Sequence, residues 1–168
     1  MESRAKVLGH PVHQMLIVFP LGLLATAVLF DIGWLMLDRS DLTVVSWWLM
    51  VAGVVGGLVA APFGTVDWLA IPHGTRARRV GALHGAGNAL VVVMFALSAW
   101  LRGRGTLEPG AGALALSFGG AALSLATAWL GGELVSRLGV GVSDGAGLDA
   151  PSSLKGPVPA TAARRQKA

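Results

Sequence analysis

Four apolar runs, at 13–37, 44–71, 80–101 and 111–137, dominate the chain. About 20 apolar residues of helix suffice to cross the hydrocarbon of a bilayer, and each run is at least that long. Lipid offers backbone groups no hydrogen-bond partner, so a spanning segment must satisfy every N–H and C=O internally, which a helix does. Composition agrees: 54% of the 168 residues are hydrophobic and 13% charged, with mean hydropathy +0.66, against roughly 25% charged in soluble domains. The connections "DRSDLT", "PHGTRARR" and "RGRGTLEPG" are short, polar and rich in turn formers, which makes sequential helices antiparallel neighbours. The expected architecture is therefore all-α, an integral membrane four-helix bundle running up-down-up-down over residues 1–142. The tail, 143–168, has almost no bulky apolar content and is expected to be disordered.

Arg4 and Lys6 before the first run, with "ATA" at 25–27, imitate a cleaved leader. The run continues through "VLFDIGWLML" without pause, which favours a retained helix. Basic residues set the orientation. Arg4, Lys6, Arg76, Arg78, Arg79, Arg137 and Lys155 fall on the side of the termini, against Arg39, Arg102 and Arg104 on the other. That excess places both termini and the tail in the cytoplasm. Trp34, Trp47, Trp48 and Trp100 near the far rim, and Trp68 near the other, read as an interfacial belt. The basic residues are scattered along one rim, which argues for lipid headgroups and against nucleic acid as the partner. The absence of cysteine excludes disulfides, thiolate metal sites, covalent c-type haem and cysteine nucleophiles. Nothing pairs a nucleophile with a base, and "GALHGAG" lies within a span with no strand before it, unlike a phosphate-binding loop.

Polar residues gather at one depth. At ~1.5 Å rise per residue, His13 opens the first span, Asp67 lies a turn before the end of the second, and His84 a turn into the third, with Asn88 a turn deeper. Glu133 lies a turn before the end of the fourth. Charged groups inside spans are costly and mark a site by default. Three readings follow. His13 and His84 would be axial ligands of a b-type haem used for electron transfer, with Asn88 nearby, glycines beside His84 leaving room, and Arg76, Arg78 or Arg79 meeting the propionates. Alternatively His13, Asp67, His84 and Glu133 would hold a bare divalent ion, zinc or non-haem iron, with Asn88 orienting an imidazole. In the third reading the cluster is a cofactor-free hydrogen-bonded plug that fixes helix packing, with proton or solute passage as an added role. The metal centre, haem or bare ion, ranks ahead of the plug.

Simpler roles compete. His10 and His13 would cap the first helix around Pro11, Glu133 would pair with Arg137 on its own helix, Asp67 would bind backbone or a loop arginine, and His73 would be solvated. At the far rim Asp31 lies eighteen residues from His13, about five turns and so on one face, and Arg102 bears the same relation to His84. An Asp31–Arg102 pair competes with Arg102 snorkelling to headgroups, the favoured reading. Small residues at Gly53/Gly57/Ala61 and Gly120/Ser124/Ala128/Gly132 suggest close helix contacts.

"GHPVHQMLIVFPLGLL", "VDWLAIPHGTRARRVGALHGAGN" and "AWLGGELVSRLGVGV" together resemble domain-of-unknown-function family 2231 of predicted bacterial membrane proteins, over about 9–142. The resemblance implies a bacterial inner-membrane location and, because related sequences are joined to Rieske-type iron–sulfur domains, a redox role with a Rieske-type partner. The family's His-Pro-x-His-Pro opening stands here with Gln14 in its last position.

Overall fold

The computed structural model describes residues 1–155. It is almost entirely helical. A small antiparallel hairpin, β1 (Lys6–Val7) and β2 (His10–Pro11), turns through Leu8 and Gly9, both at positive φ. Helices α1 (Val12–Leu16) and α2 (Val18–Leu37) follow almost without a break and together form the first span. Pro20 accounts for the joint: it has no N–H for the Leu16 carbonyl, so the regular ladder lapses at Ile17. Helix α3 (Ser40–Leu69) carries Pro62 in its interior; α4 (Arg76–Arg102) and α5 (Ala111–Ser136) complete the bundle. The four spans pack against one another as an all-α multi-pass bundle.

Local chemistry sets the boundaries. Asp38 closes α2 in the left-handed region, its N–H returning to the Trp34 carbonyl, and only Arg39 separates it from α3. The Thr75 hydroxyl accepts from the Arg78 N–H at 3.1 Å and donates to the Pro72 carbonyl at 2.8 Å, so α4 starts at Arg76 and takes in the arginine run. Of the expected disordered tail, 143–155 form turns and a short 3-10 segment at Ser153–Lys155, and 156–168 lie outside the described residues.

The outer surface is not that of a protein in water, and the interior takes in charge as well as apolar side chains. Leu125 is 73% exposed, whereas Asp31 and Arg102 are 0% and 2% exposed. Large apolar side chains such as Phe19, Leu29, Met36 and Trp129 face outward, as lipid contact requires. The interior holds Leu24, Ala27, Val28, Met50, Val91, Phe95 and Ala99, together with buried serines and threonines. Lipid gives helices no hydrophobic reason to associate, so close approach through small residues and interhelical hydrogen bonds does that work. Glycines supply the approach. A Cβ on Gly53 would lie 2.6 Å from Leu24 Cδ2, and one on Gly120 would lie 2.9 Å from Phe95 Cε2.

The N-terminal residues meet the stretch that follows α5 over one end of the bundle. The Met1 ammonium donates to the Gly139 carbonyl at 2.9 Å, and the Gly141 N–H donates to the Met1 carbonyl at 2.9 Å. The Glu2 carboxylate accepts from the Lys6 ammonium and from the Asp144 N–H. These two donors, Lys6 first, hold the Glu2 carboxyl below the usual carboxylate range.

Two outcomes follow from this packing. Gly53→Ala and Gly120→Ala should each destabilise the bundle by about 1–3 kcal/mol through overpacking, read as a lowered unfolding midpoint in detergent. Gly112→Ala, where a Cβ would meet nothing within 4 Å, should not. Because the Glu2 pKa is depressed, its tie is complete above the ordinary carboxylate pKa and lost as pH falls through the lowered value. Glu2→Gln should therefore lower the hydrogen-exchange protection factor of the Asp144 amide at neutral pH and remove the acid-induced loss of protection expected of the parent chain.

Candidate functional site

The most heavily organised polar group is the pair at the far rim. Arg102 grips Asp31 with both terminal nitrogens, Nη1 to Oδ1 at 2.6 Å and Nη2 to Oδ2 at 2.7 Å, and both side chains are fully buried. A guanidinium has five N–H donors, and each finds an acceptor here. Besides the two carboxylate contacts, Nη1 reaches Ser46 Oγ at 3.3 Å, Nη2 reaches Ser117 Oγ at 3.2 Å, and Nε reaches Ser98 Oγ at 3.3 Å. The carboxylate also accepts from Ser46 at 2.6 Å and Ser117 at 3.1 Å. Asp31 comes from α2, Ser46 from α3, Ser98 and Arg102 from α4 and Ser117 from α5, so one network ties all four spans. Arg102 turns inward; the favoured expectation that it snorkels to headgroups is corrected, because a matched carboxylate and three hydroxyls solvate it better. Among the described residues no buried side-chain nitrogen or oxygen lacks a partner.

The serines were not anticipated. Ser98 lies one turn before Arg102, a spacing that puts both on one face. Nothing in a single sequence says which faces of α3 and α5 turn toward it.

At the other end, the expected metal centre is not formed. Among the described residues, no three His, Asp or Glu side chains are grouped to hold a metal ion. Each expected ligand has a partner of its own. His13 Nδ1 lies 3.0 Å from the Ala60 carbonyl of α3, its ring against Gly64, where a Cβ would stand 2.8 Å from Cε1. Asp67 receives the Ser3 hydroxyl at 2.8 and 2.7 Å on its two oxygens and the Arg4 N–H at 2.7 Å, so it anchors the N-terminal segment. Glu133 pairs with Arg76 Nη2 of α4 at 2.6 Å rather than with Arg137. His84 Nδ1 lies 2.9 Å from the Thr127 carbonyl of α5, and Asn88 Nδ2 lies 3.2 Å from His84 Nε2. Asn88 also donates to the His84 carbonyl at 2.9 Å and accepts from the Thr127 hydroxyl at 3.0 Å.

The haem reading fails with the metal cluster. Two of the glycines near His84 are filled: Gly131 receives the imidazole itself, a Cβ there standing 3.0 Å from Cε1, and Gly87 receives the Thr127 methyl, whereas a Cβ on Gly85 would meet nothing within 4 Å. Arg78, expected at a propionate, donates to the Trp68, Leu69 and Ile71 carbonyls at the end of α3 and stacks 4.0 Å from the Trp68 ring centroid. Arg76 is held by Glu133, and Arg79 is exposed. His10 lies in β2 and His73 is exposed. The electron-transfer role, which rested on that cluster, falls with it.

A regularity connects the two ends. The first two spans form one hairpin and the last two another, and their contacts correspond residue by residue. His13 binds the carbonyl four residues before Gly64, and His84 binds the carbonyl four residues before Gly131. Leu24 fills the place at Gly53, and Phe95 fills it at Gly120. The buried positions of α2, Pro20, Leu24, Ala27, Val28 and Asp31, correspond to Val91, Phe95, Ser98, Ala99 and Arg102 of α4. Asp31 and Arg102, 71 residues apart, are thus the same position in the two hairpins.

A family model described as predicted membrane protein (DUF2231) matches residues 9–144. No curated protein and no solved structure matches the chain.

Removing one member of the ion pair strands the other. Arg102→Met is expected to destabilise the bundle by about 3–5 kcal/mol, and the double change Asp31→Leu with Arg102→Met to recover most of that loss. Unfolding in mixed micelles checks both. Equal losses in the single and double variants would show that the stranded Asp31 carboxyl carries no penalty of its own.

Proposed function

The chain belongs to the DUF2231 family of predicted membrane proteins, and on that premise we propose that it is a cofactor-free structural module of a bacterial inner membrane. Its task in this reading is to hold four spans as one stiff unit. The observation that carries the proposal is the closed network of Asp31, Arg102, Ser46, Ser98 and Ser117, which draws on all four spans. Rigid polar ties of this kind suit a module that presents fixed rims to each side of a bilayer. The histidines serve the same end, each joining the two helices of its own hairpin by a carbonyl contact.

The proposal places both termini in the cytoplasm. Burial of Arg102 supports this, because it removes a basic residue from the far rim and leaves Arg39 and Arg104 there against seven on the side of the termini.

The natural lack of cysteine allows a direct check. A single cysteine at Gly105, in the α4–α5 loop, should react with a membrane-impermeant maleimide on intact cells, whereas His73→Cys should react only after lysis. The reverse pattern would invert the orientation. Protein purified in mild detergent should show no Soret band and no stoichiometric zinc or iron by mass spectrometry, and either signal, lost in His84→Ala, would overturn the cofactor-free reading.

A further inference from the structure

The seam between the two hairpins is not filled evenly. On its α3–α4 side a groove with a volume of about 460 Å³ runs inward from the far rim. Side-chain size explains it. Helix α4 and the residue that caps it offer Ala96, Ala99 and Gly103 to the valines of α3, Val51, Val54 and Val55, and too little bulk remains to close the gap. Two tryptophans wall its outer end. Trp47 donates its indole N–H to the Ala99 carbonyl at 2.9 Å, so what it presents beside the groove is apolar surface. Trp100 is 58% exposed and carries the Arg104 guanidinium 4.9 Å from its ring centroid.

We propose that this groove seats one acyl chain of an anionic phospholipid, with Arg104 meeting the phosphate. The site is independent of the structural role given above and rests only on the chain's spanning a membrane. Its apolar part lies along two spans, where hydrocarbon surrounds the protein, and a gap left empty would forfeit dispersion contacts on its whole lining. Arg104 stands just past the end of α4, at headgroup depth, where a cation attracts anionic lipid. Among the described residues it forms no ion pair, since the carboxylates in ion pairs belong to Lys6, Arg39, Arg76 and Arg102, and the loop's Glu108 accepts from Ser40. An apolar slot with one free cation at its mouth is complementary to a negatively charged headgroup with a chain below it.

The test is native mass spectrometry of the full chain released from detergent micelles with added phosphatidylglycerol or phosphatidylcholine. One phosphatidylglycerol should be retained per chain, with a preference of about fivefold over the zwitterionic lipid, the effect of one arginine near the surface. Arg104→Ala should remove the preference and keep the chain contact. Ala96→Phe, which fills the groove, should abolish retention of both lipids, and Val55→Trp is the second filling variant should the first fail to fold by circular dichroism. Phosphatidylglycerol retained at the parental level in a folded filling variant overturns the proposal, as does an undiminished preference in Arg104→Ala. A dimer in detergent that dissociates when the groove is filled also overturns it, because a second copy would then be the occupant.

Discussion

An ion cannot be left bare in hydrocarbon, and that constraint organises this bundle. Asp31 and Arg102 each stand in a span, on different hairpins, and each is costly alone. Together they form a neutral, doubly hydrogen-bonded unit whose remaining donors and acceptors are taken by three serines. The hairpins themselves close through glycine contacts and histidine–carbonyl contacts within α1–α3 and within α4–α5. The ion pair is of another kind, because neither hairpin can satisfy it alone. It makes association of the two halves a condition for burying either charge, which supplies the helix–helix attraction that lipid itself withholds.

The same principle explains why polar residues at one depth need not make a metal site. A histidine at the edge of a span finds the carbonyls of the neighbouring helix closer than any second side chain, and a glycine four residues on lets its ring approach. His13 at Ala60 and Gly64, and His84 at Thr127 and Gly131, solve the problem in the same way. Asp67 and Glu133 are drawn instead to donors outside the hydrocarbon, the N-terminal backbone and Arg76. Each polar group is satisfied by its nearest neighbour, and convergence on a shared centre is lost.

The fold was legible because lipid permits so few alternatives. Four long apolar runs joined by short polar loops imply four antiparallel helices whatever their detailed contacts. Depth was legible too, since rise per residue is constant: His13, Asp67, His84 and Glu133 do lie toward the ends of their spans. Their azimuth was not. Which way a residue faces across the bundle depends on how neighbouring helices rotate, and periodicity within one helix says nothing of that. The small-residue series shows the gap: Gly53 and Gly120 touch neighbouring helices, while a Cβ on Gly132 would meet nothing. The equal spacing of His13 to Asp31 and of His84 to Arg102 held more than it disclosed. It reflects a repeat whose second half, α3 against α5, is visible only once Gly53 and Gly64 are seen to play the parts of Gly120 and Gly131.

That repeat also explains where the halves must differ. Packing positions tolerate near copies: Leu24 answers to Phe95, Val28 to Ala99, glycine to glycine. Asp31 and Arg102 are different, because each contacts its own counterpart. Were the two hairpins identical at that position, two carboxyls or two guanidiniums would meet in the interior; the carboxyls would have to share a proton and the guanidiniums, which have only donors, would repel, and neither gives a neutral, doubly hydrogen-bonded unit. Opposite charges are possible only if the two halves carry different sequences. A pair of identical hairpins could copy every glycine contact and both histidine ties, yet could never build this lock. The ion pair therefore requires both hairpins to be distinct, and a single chain bearing both is the simplest way to guarantee that they always meet in the right pairing.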